Sequence, residues 1–280
     1  IIWAITSHRT MEPILLLSLI IIGLLAGILG ALFGIGGGII IIPMLTIFYS
    51  MSAADAAAVS LIGIVATSVG GTVYYMENKV TNIRLGLLLE ISTVIGSMIG
   101  VFLALALESW IIMLVFSAVL TLTAIKMLLN PSMDVTGTGD GEFSYNDLRT
   151  GETIRYDIEH KGIGFSSCVL AGIISSLTGV GGGLIKVPIM NMVMKVPMKA
   201  ATATSSYMIG ITAFSGSILY FLSGHVDLEM AAFVAIGTFL GAVIGSRLSR
   251  RFDSSSMKKY FSILVLAIAF VMVLQAGGIL

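Results

Sequence analysis

Two glycine-rich segments contain the residues of this chain whose types and spacing best suit the binding of a ligand. Gly34–Pro43 reads Gly-Ile-Gly-Gly-Gly-Ile-Ile-Ile-Ile-Pro, and Gly179–Pro188, 145 positions later, reads Gly-Val-Gly-Gly-Gly-Leu-Ile-Lys-Val-Pro. A glycine run inside apolar sequence predicts a broken helix, and the helix that follows begins with unpaired N–H groups and a partial positive charge. Such helix starts attract anions. Two breaks at matched positions therefore predict an anion site at membrane depth.

The candidate binding groups are the consecutive glycines, the lysine in the second phrase and one pair of matched serines. They are Gly36, Gly37, Gly38, Gly181, Gly182, Gly183, Lys186, Ser60 and Ser205. Lys186 stands where the first phrase has Ile41, and a lysine at membrane depth costs several kcal/mol unless it is paired or hydrated. We expect it either to contact an anion directly or to snorkel or pair with a structural carboxylate.

The glycines have a second interpretation, which is that they only allow helices to pack closely. That interpretation suits the pairs Gly96/Gly100 and Gly241/Gly245, and we assign those four to packing. It explains three consecutive glycines followed by a proline poorly. We therefore expect the two triple-glycine runs to belong to the binding site.

Glu90 is the candidate for a coupling role, because ionisable side chains inside membrane spans are rare and usually functional. It lies about one-third into an apolar stretch, and the matched position in the other half of the chain is Ala235. The alternative is that Glu90 balances a positive charge such as Lys126.

Composition places the chain in a membrane. It is 57% hydrophobic and 11% charged, whereas soluble domains carry roughly a quarter charged residues. The net charge is zero, so a nucleic-acid partner is not predicted. A single cysteine and three scattered histidines suggest no metal site and no cofactor. Neither glycine run ends in the Gly-Lys-Ser/Thr of a nucleotide-binding loop, and no catalytic constellation is evident, so an enzyme is not predicted.

A repeat organises the elements that carry these residues. Shifting the chain by 145 positions aligns glycines, the proline and a tyrosine (Tyr75 with Tyr220), which apolar composition alone does not produce. We predict an N-terminal extension at 1–13, transmembrane repeats at 14–130 and 163–280, and a polar cytoplasmic linker at 131–162. Loose alternation around Thr150-Gly151 favours a small β-hairpin within that linker.

The apolar stretches after the glycines, 39–50 and 184–194, are too short to span a bilayer. A segment of 11 residues is about 17 Å long as a helix, roughly half the hydrocarbon thickness. Lys and Arg flank opposite ends of matched spans in the two halves, which indicates opposite orientations. The sequence thus predicts an all-α polytopic membrane protein with two inverted-topology repeats and paired broken or re-entrant helices.

The phrases GALFGIGGGIIIIPML at 30–45 and SSLTGVGGGLIKVPIM at 175–190 resemble the sulfite exporter TauE/SafE family, also called TSUP. The resemblance covers nearly the whole chain. It implies a protein of the cytoplasmic membrane that moves sulfur-containing anions such as sulfite, thiosulfate, sulfoacetate or related organosulfonates.

The expected function is therefore secondary transport of a small anion by alternating access, driven by its own gradient or by a coupling ion, H⁺ or Na⁺. The substrate anion and the lipid bilayer are the expected partners. An anion channel is the main alternative, since opposed broken helices also build pores, and a carrier of a non-sulfur organic anion is the other.

Overall fold

The computed structural model describes residues 13–129, 141–251 and 254–276. The first 12 residues of the predicted extension and the first part of the linker, 130–140, lie outside the described residues. In the first half the helices are α1 (Pro13–Phe33), α2 (Gly38–Phe48), α3 (Ala53–Glu77), α4 (Ile83–Ala106) and α5 (Ser109–Leu129).

The second half begins after a short hairpin, β1 (Phe143–Asn146) and β2 (Thr153–Tyr156). Its helices are α6 (Lys161–Thr178), α7 (Gly183–Pro188), α8 (Met198–Leu222), α9 (Leu228–Leu248) and α10 (Ser254–Ala276). A π-helical turn, Ile189–Val193, continues α7, and a 3₁₀ turn, Ser249–Arg251, follows α9. The predicted short helices after the glycine runs are confirmed by α2 and by α7 with its π-helical turn.

Among the residues that the structure describes, six helices are long and apolar enough to cross a membrane by length and composition: α1, α3, α4, α6, α8 and α9. Their outward sides carry large exposed apolar side chains, which in a bilayer meet lipid tails; examples are Val69, Ile91, Phe102, Phe214 and Phe239. The protein is an all-α polytopic membrane protein apart from its small hairpin, as the composition predicts.

Polar caps fix where matched helices begin. The Asn82 side chain accepts a hydrogen bond from the Leu85 N–H at the start of α4, and Asp227 accepts one from the Met230 N–H at the start of α9. Each cap satisfies one of the N–H groups that a helix start leaves unpaired. The two caps are 145 positions apart, so the matched helices α4 and α9 begin at matched residues.

Glycines bring α1 against α9 and α4 against α6, as the packing interpretation predicts. A Cβ built on Gly241 would lie 2.1 Å from the Leu24 carbonyl oxygen, and one built on Gly96 would lie 2.1 Å from that of Val169. No larger side chain fits at such distances, so these glycines set how closely the backbones approach. Gly100 and Gly245 make the same contacts one turn further, at 2.2 Å from the carbonyl oxygens of Ile173 and Ile28.

The same offset recurs in the tyrosines. The Tyr75 hydroxyl donates to the Ala31 carbonyl oxygen at 2.9 Å, and the Tyr220 hydroxyl donates to that of Ser176 at 2.9 Å. Each tyrosine joins the end of one long helix to the last turns of the helix before a glycine run. The sequence repeat is therefore also a repeat of contacts.

The predicted hairpin is confirmed. Phe143 pairs with Tyr156 and Asn146 pairs with Thr153 in an antiparallel register, and Gly151 in the turn has a φ of 74°. The hairpin rests on the helix ends beside it, because the Asn82 amide donates to the Tyr156 hydroxyl at 2.9 Å. We call this end of the molecule, which also carries Lys79 and Lys199, the hairpin face. The opposite end carries the Asp55–His225 contact.

Candidate functional site

Both glycine runs are breaks between helices, as predicted. α1 ends at Phe33 and α2 begins at Gly38, while α6 ends at Thr178 and α7 begins at Gly183. The glycines between them adopt left-handed backbone angles at matched positions, with φ of 84° and 90° at Gly36 and Gly37 and of 88° and 73° at Gly181 and Gly182. A residue with a Cβ is strained in this region, so the reversal of the chain requires glycine.

The two breaks touch each other inside the protein. A Cβ built on Gly38 would lie 2.5 Å from the Gly179 carbonyl oxygen, and one built on Gly183 would lie 2.1 Å from that of Gly34. All the glycines of both runs are buried. The starts of α2 and α7 therefore meet at one place, where the first amides of each helix have no acceptor within their own helix.

Ser60 and Ser205 hold these breaks in a crossed arrangement. Ser60 on α3 donates its hydroxyl to the Gly179 carbonyl oxygen at 2.8 Å, and Ser205 on α8 donates to that of Gly34 at 2.7 Å. Each serine thus supports the break of the other half, and satisfies a carbonyl group that lipid could not. Contact of either hydroxyl with a substrate stays a prediction.

Two isoleucines fill the space beside the glycines. A Cβ built on Gly36 would lie 2.8 Å from the Ile64 side chain and 3.0 Å from that of Ile209, and one built on Gly181 would lie 2.9 Å from Ile64. Ile64 and Ile209 are matched residues of α3 and α8 and are fully buried. The breaks are therefore tightly packed in this conformation.

Lys186 is fully buried one turn into α7 and is paired. Its Nζ donates to Glu90 Oε2 at 3.1 Å and to Thr212 Oγ1 at 2.6 Å, and the Thr212 hydroxyl also donates to Glu90 Oε1. The sequence left open whether Lys186 contacts an anion or pairs with a carboxylate, and in this conformation it pairs with a carboxylate. Glu90 correspondingly balances Lys186; the Lys126 side chain lies outside the described residues.

This charged cluster joins the two halves, with Glu90 on α4 of the first half and Lys186 and Thr212 on α7 and α8 of the second, and the matched positions do not repeat it. The positions that match Lys186, Glu90 and Thr212 hold Ile41, Ala235 and Thr67, and the Thr67 hydroxyl donates to the Gly63 carbonyl oxygen of its own helix. Close packing alone needs no buried ion pair, since the first half builds its break with Ile41. The pair is therefore a specific property of the second break.

Ser175 is a residue of this site that sequence reasoning missed. It is 1% exposed, and its hydroxyl has no hydrogen-bond partner within the described residues. A Cβ built on Gly182 would lie 3.3 Å from both Ser175 Oγ and Lys186 Cε. The available signal was a difference between the repeats, because the matched position holds Gly30.

The remaining ionisable groups do not form a metal site in the part of the chain that is described. Residues 13–129, 141–251 and 254–276 hold no group of three His, Cys, Asp or Glu side chains placed to share a metal ion. The chemistry of the site is that of backbone amides, hydroxyls and one ion pair, which suits binding of a small anion.

Comparison with known proteins identifies the family. The model of the family described as sulfite exporter TauE/SafE matches residues 19–272. The chain belongs to the sulfite exporter TauE/SafE family. Membership makes this chain a multi-pass protein of the cell membrane from a family of membrane transporters, and it points to transport rather than catalysis.

Curated relatives of this TauE/SafE chain match over most of their length. It is 27% identical to the probable membrane transporter protein YunE of Bacillus subtilis, over 89% of this chain and 94% of the relative. It is 28% identical to the probable membrane transporter protein MJ0441 of Methanocaldococcus jannaschii, over 88% and 90%. The probable membrane transporter protein YfcA of Escherichia coli is 24% identical, over 85% and 81%. No solved structure matches the chain.

Proposed function

We propose that this TauE/SafE protein is a secondary transporter, not an enzyme, and that it moves small sulfur-containing anions such as sulfite, thiosulfate or an organosulfonate across the cell membrane by alternating access. The observation that carries the proposal is the contact of two buried glycine breaks beside a buried lysine. Family membership supports transport, and the family's description favours sulfur oxyanions.

We place the substrate between the starts of α2 and α7. The first amides of both helices can donate to oxyanion oxygens there, and the unpartnered Ser175 hydroxyl lies beside Gly182 to donate another hydrogen bond. Lys186 supplies the full positive charge. Because Ile64 and Ile209 pack against the glycines, the substrate enters only after α3 and α8 move apart, which is what alternating access requires.

The ion pair suggests how transport is coupled. Lys186 and Glu90 together are neutral, and an anion that takes Lys186 leaves the Glu90 carboxylate buried without its partner. An unpaired buried charge is costly, so a proton on Glu90 would remove the negative charge of its carboxylate as the anion binds to Lys186. The proposal therefore assigns Glu90 as the proton carrier and H⁺ as the coupling ion.

Inverted topology of the repeats belongs to this proposal and has support in the contacts. α4 begins at the hairpin face, where Asn82 contacts Tyr156. Its matched helix α9 begins at the opposite end, just after His225, whose Nδ1 lies 2.7 Å from Asp55 Oδ1. Matched helices that start at opposite ends are expected when the halves are related by an axis in the membrane plane.

The test compares two matched substitutions in proteoliposomes. Lys186→Met removes the cation, and Ile41→Met makes a similar apolar change at the matched position of the first half. We expect Lys186→Met to reduce counterflow of labelled sulfite or thiosulfate at least 100-fold and Ile41→Met to change it less than threefold. Equal transport by Lys186→Met and the wild type would remove the ion pair from the mechanism.

The same vesicles separate the carrier from the two alternatives. A carrier shows saturable counterflow, whereas an anion channel carries currents with unitary steps under voltage. Transport of a carboxylate without any sulfur oxyanion would favour a carrier of non-sulfur organic anions. The buried, packed breaks support the carrier.

A further inference from the structure

A small pocket lies at the hairpin face, away from the contact of the two breaks. It is enclosed by the end of α3, the start of α8, the end of α9 and the tip of the hairpin, and its cavity volume of about 10 Å³ holds about one water molecule in this conformation. The lining residues are Tyr75, Val80, Leu148, Lys199, Thr202 and Ser249. The Thr202 hydroxyl in this lining is buried and has no hydrogen-bond partner among the described residues.

The hairpin presents a carboxylate to the one lysine of this pocket. Lys199 Nζ donates to both oxygens of Asp147, at 2.8 Å and 3.0 Å. Both side chains are 11% exposed. A carboxylate that offers two oxygens to an ammonium group occupies the position that an oxyanion would take.

Asp147 keeps its negative charge at this position. Burial raises the pKa of its carboxyl, but hydrogen bonds from Lys199 and from the Arg149 N–H lower it by more, so the pKa lies below the usual value for aspartate. At the pH of a cell interior the group is therefore ionised, and any other anion must displace it from Lys199.

Thr202 connects this pocket to the first glycine break. A Cβ built on Gly34 would lie 2.5 Å from the Thr202 carbonyl oxygen, and Ser205, one turn further along α8, donates to Gly34. The Ser206 and Thr72 hydroxyls are also buried without partners within the described residues. Ser68 on α3 donates to the Ser206 carbonyl oxygen on α8 at 2.6 Å, so these two helices are in contact at this level. Unsatisfied hydroxyls thus line the interface of α3 and α8 between the pocket and the breaks.

The pocket is specific to the hairpin face. The positions that match Lys199 and Thr202 in the first half are Ala54 and Ala57, which offer neither charge nor hydroxyl. A role in packing would not require this difference, since both pairs of residues lie in the first turns of matched helices.

We propose that this pocket, widened by a movement of the hairpin, is a second binding site for a small oxyanion that contacts Lys199 and the Thr202 hydroxyl, and that Asp147 on the hairpin pairs with Lys199 in place of the substrate until the hairpin moves. The inference rests on the proposed function, because the pocket would bind the substrate on its way between the cytoplasm and the glycine breaks. Displacement of Asp147 frees the hairpin, so the arriving anion opens its own passage.

The test uses calorimetric titration of the purified full chain with sodium thiosulfate at constant ionic strength. Asp147→Asn removes the competing carboxylate and keeps its shape, and Glu152→Gln makes the same change of charge on the same hairpin away from Lys199. We expect Asp147→Asn to tighten one binding event at least fivefold and Glu152→Gln to leave it within twofold of the wild type. Lys199→Gln should abolish that event, and Lys199→Arg, which keeps the charge, should retain it.

Unchanged thiosulfate binding in both Asp147→Asn and Lys199→Gln would overturn the second site. Lys186→Met separates this result from the proposed function, since it should remove a different binding event that depends on the breaks. If Lys186→Met leaves thiosulfate binding unchanged while the Lys199 and Asp147 variants behave as stated, the binding site at the glycine breaks is disproved and the pocket is supported. If the only binding event is the one that Lys186→Met removes, the pocket is disproved and the binding site at the glycine breaks is supported.

Discussion

At the scale of single residues, the buried ion pair is compensated only while both charges are present, so replacing either partner alone leaves the other charge unpaired. Lys186 and Glu90 are 0% and 3% exposed, and both also contact Thr212. Removing one member of a buried pair leaves an uncompensated charge and typically costs about 3–5 kcal/mol, while replacing both by neutral groups is often nearly neutral. Stability and transport should therefore respond differently to the same substitutions.

We expect Lys186→Met and Glu90→Gln each to lower the thermal midpoint in detergent, and Lys186→Met/Glu90→Gln to recover most of the loss. Transport should not recover in the double variant, because it lacks both the cation and the proton carrier. The measurement is thermal unfolding followed by fluorescence, beside counterflow in liposomes. A double variant destabilised by the sum of the two single losses would contradict the assignment of a compensated pair.

Sequence reasoning identified these two residues but not their pairing. Lys186 and Glu90 stood out because charge is costly at membrane depth. They lie 96 positions apart, and only the packing of α4 against the second half brings them together. Ser60 and Ser205 were found as matched hydroxyls, yet their acceptors, carbonyl groups of the opposite half, depend on the same tertiary arrangement.

At the scale of elements, Gly183 tests whether contact of the two breaks holds the site together. Gly183 lies at the start of α7 without a positive φ, so an added methyl group acts through its contacts with the first break, 2.1 Å from the Gly34 carbonyl oxygen and 2.7 Å from Ile35 Cα. Overpacking of this kind commonly costs about 1–3 kcal/mol. Gly162 in α6 has nothing within 4 Å of an added Cβ and is the matched control.

We expect Gly183→Ala to lower the thermal midpoint and to reduce counterflow at least tenfold, because the backbones of the two breaks must separate. Gly162→Ala should leave both within experimental error or raise stability slightly, since alanine favours a helix over glycine. Equal behaviour of the two variants would show that the contact of the breaks is dispensable.

The helix breaks could be predicted because they depend on local backbone chemistry. The chain reversal needs left-handed backbone angles at Gly36 and Gly37, which glycine adopts without strain. Three consecutive glycines before a proline indicate such a reversal from the sequence alone. The hairpin was predictable for the same reason, from alternation around Gly151. The packing of Ile64 against both breaks was not, since nothing in the pattern of α3 distinguishes that isoleucine from its neighbours.

At the scale of the whole molecule, the two faces differ in charge and in what closes them. The hairpin face carries Lys79 and Lys199 beside the hairpin, and the opposite face carries the Asp55–His225 contact. Lys and Arg collect on the cytoplasmic side of membrane proteins. The hairpin, and with it the pocket of Lys199, is therefore expected in the cytoplasm.

Asn78 and Ser223 provide the sharpest test of orientation, because they are matched residues at the ends of α3 and α8. If the repeats are inverted, Asn78→Cys is accessible from the cytoplasm and Ser223→Cys from outside the cell. A membrane-impermeant maleimide applied to intact cells should label only Ser223→Cys, and permeabilisation should add Asn78→Cys. The native Cys168 is buried and gives the background, which the unsubstituted chain measures. Repeats in the same orientation would label both cysteines from one side, and the two helix starts would then no longer approach the substrate from opposite faces.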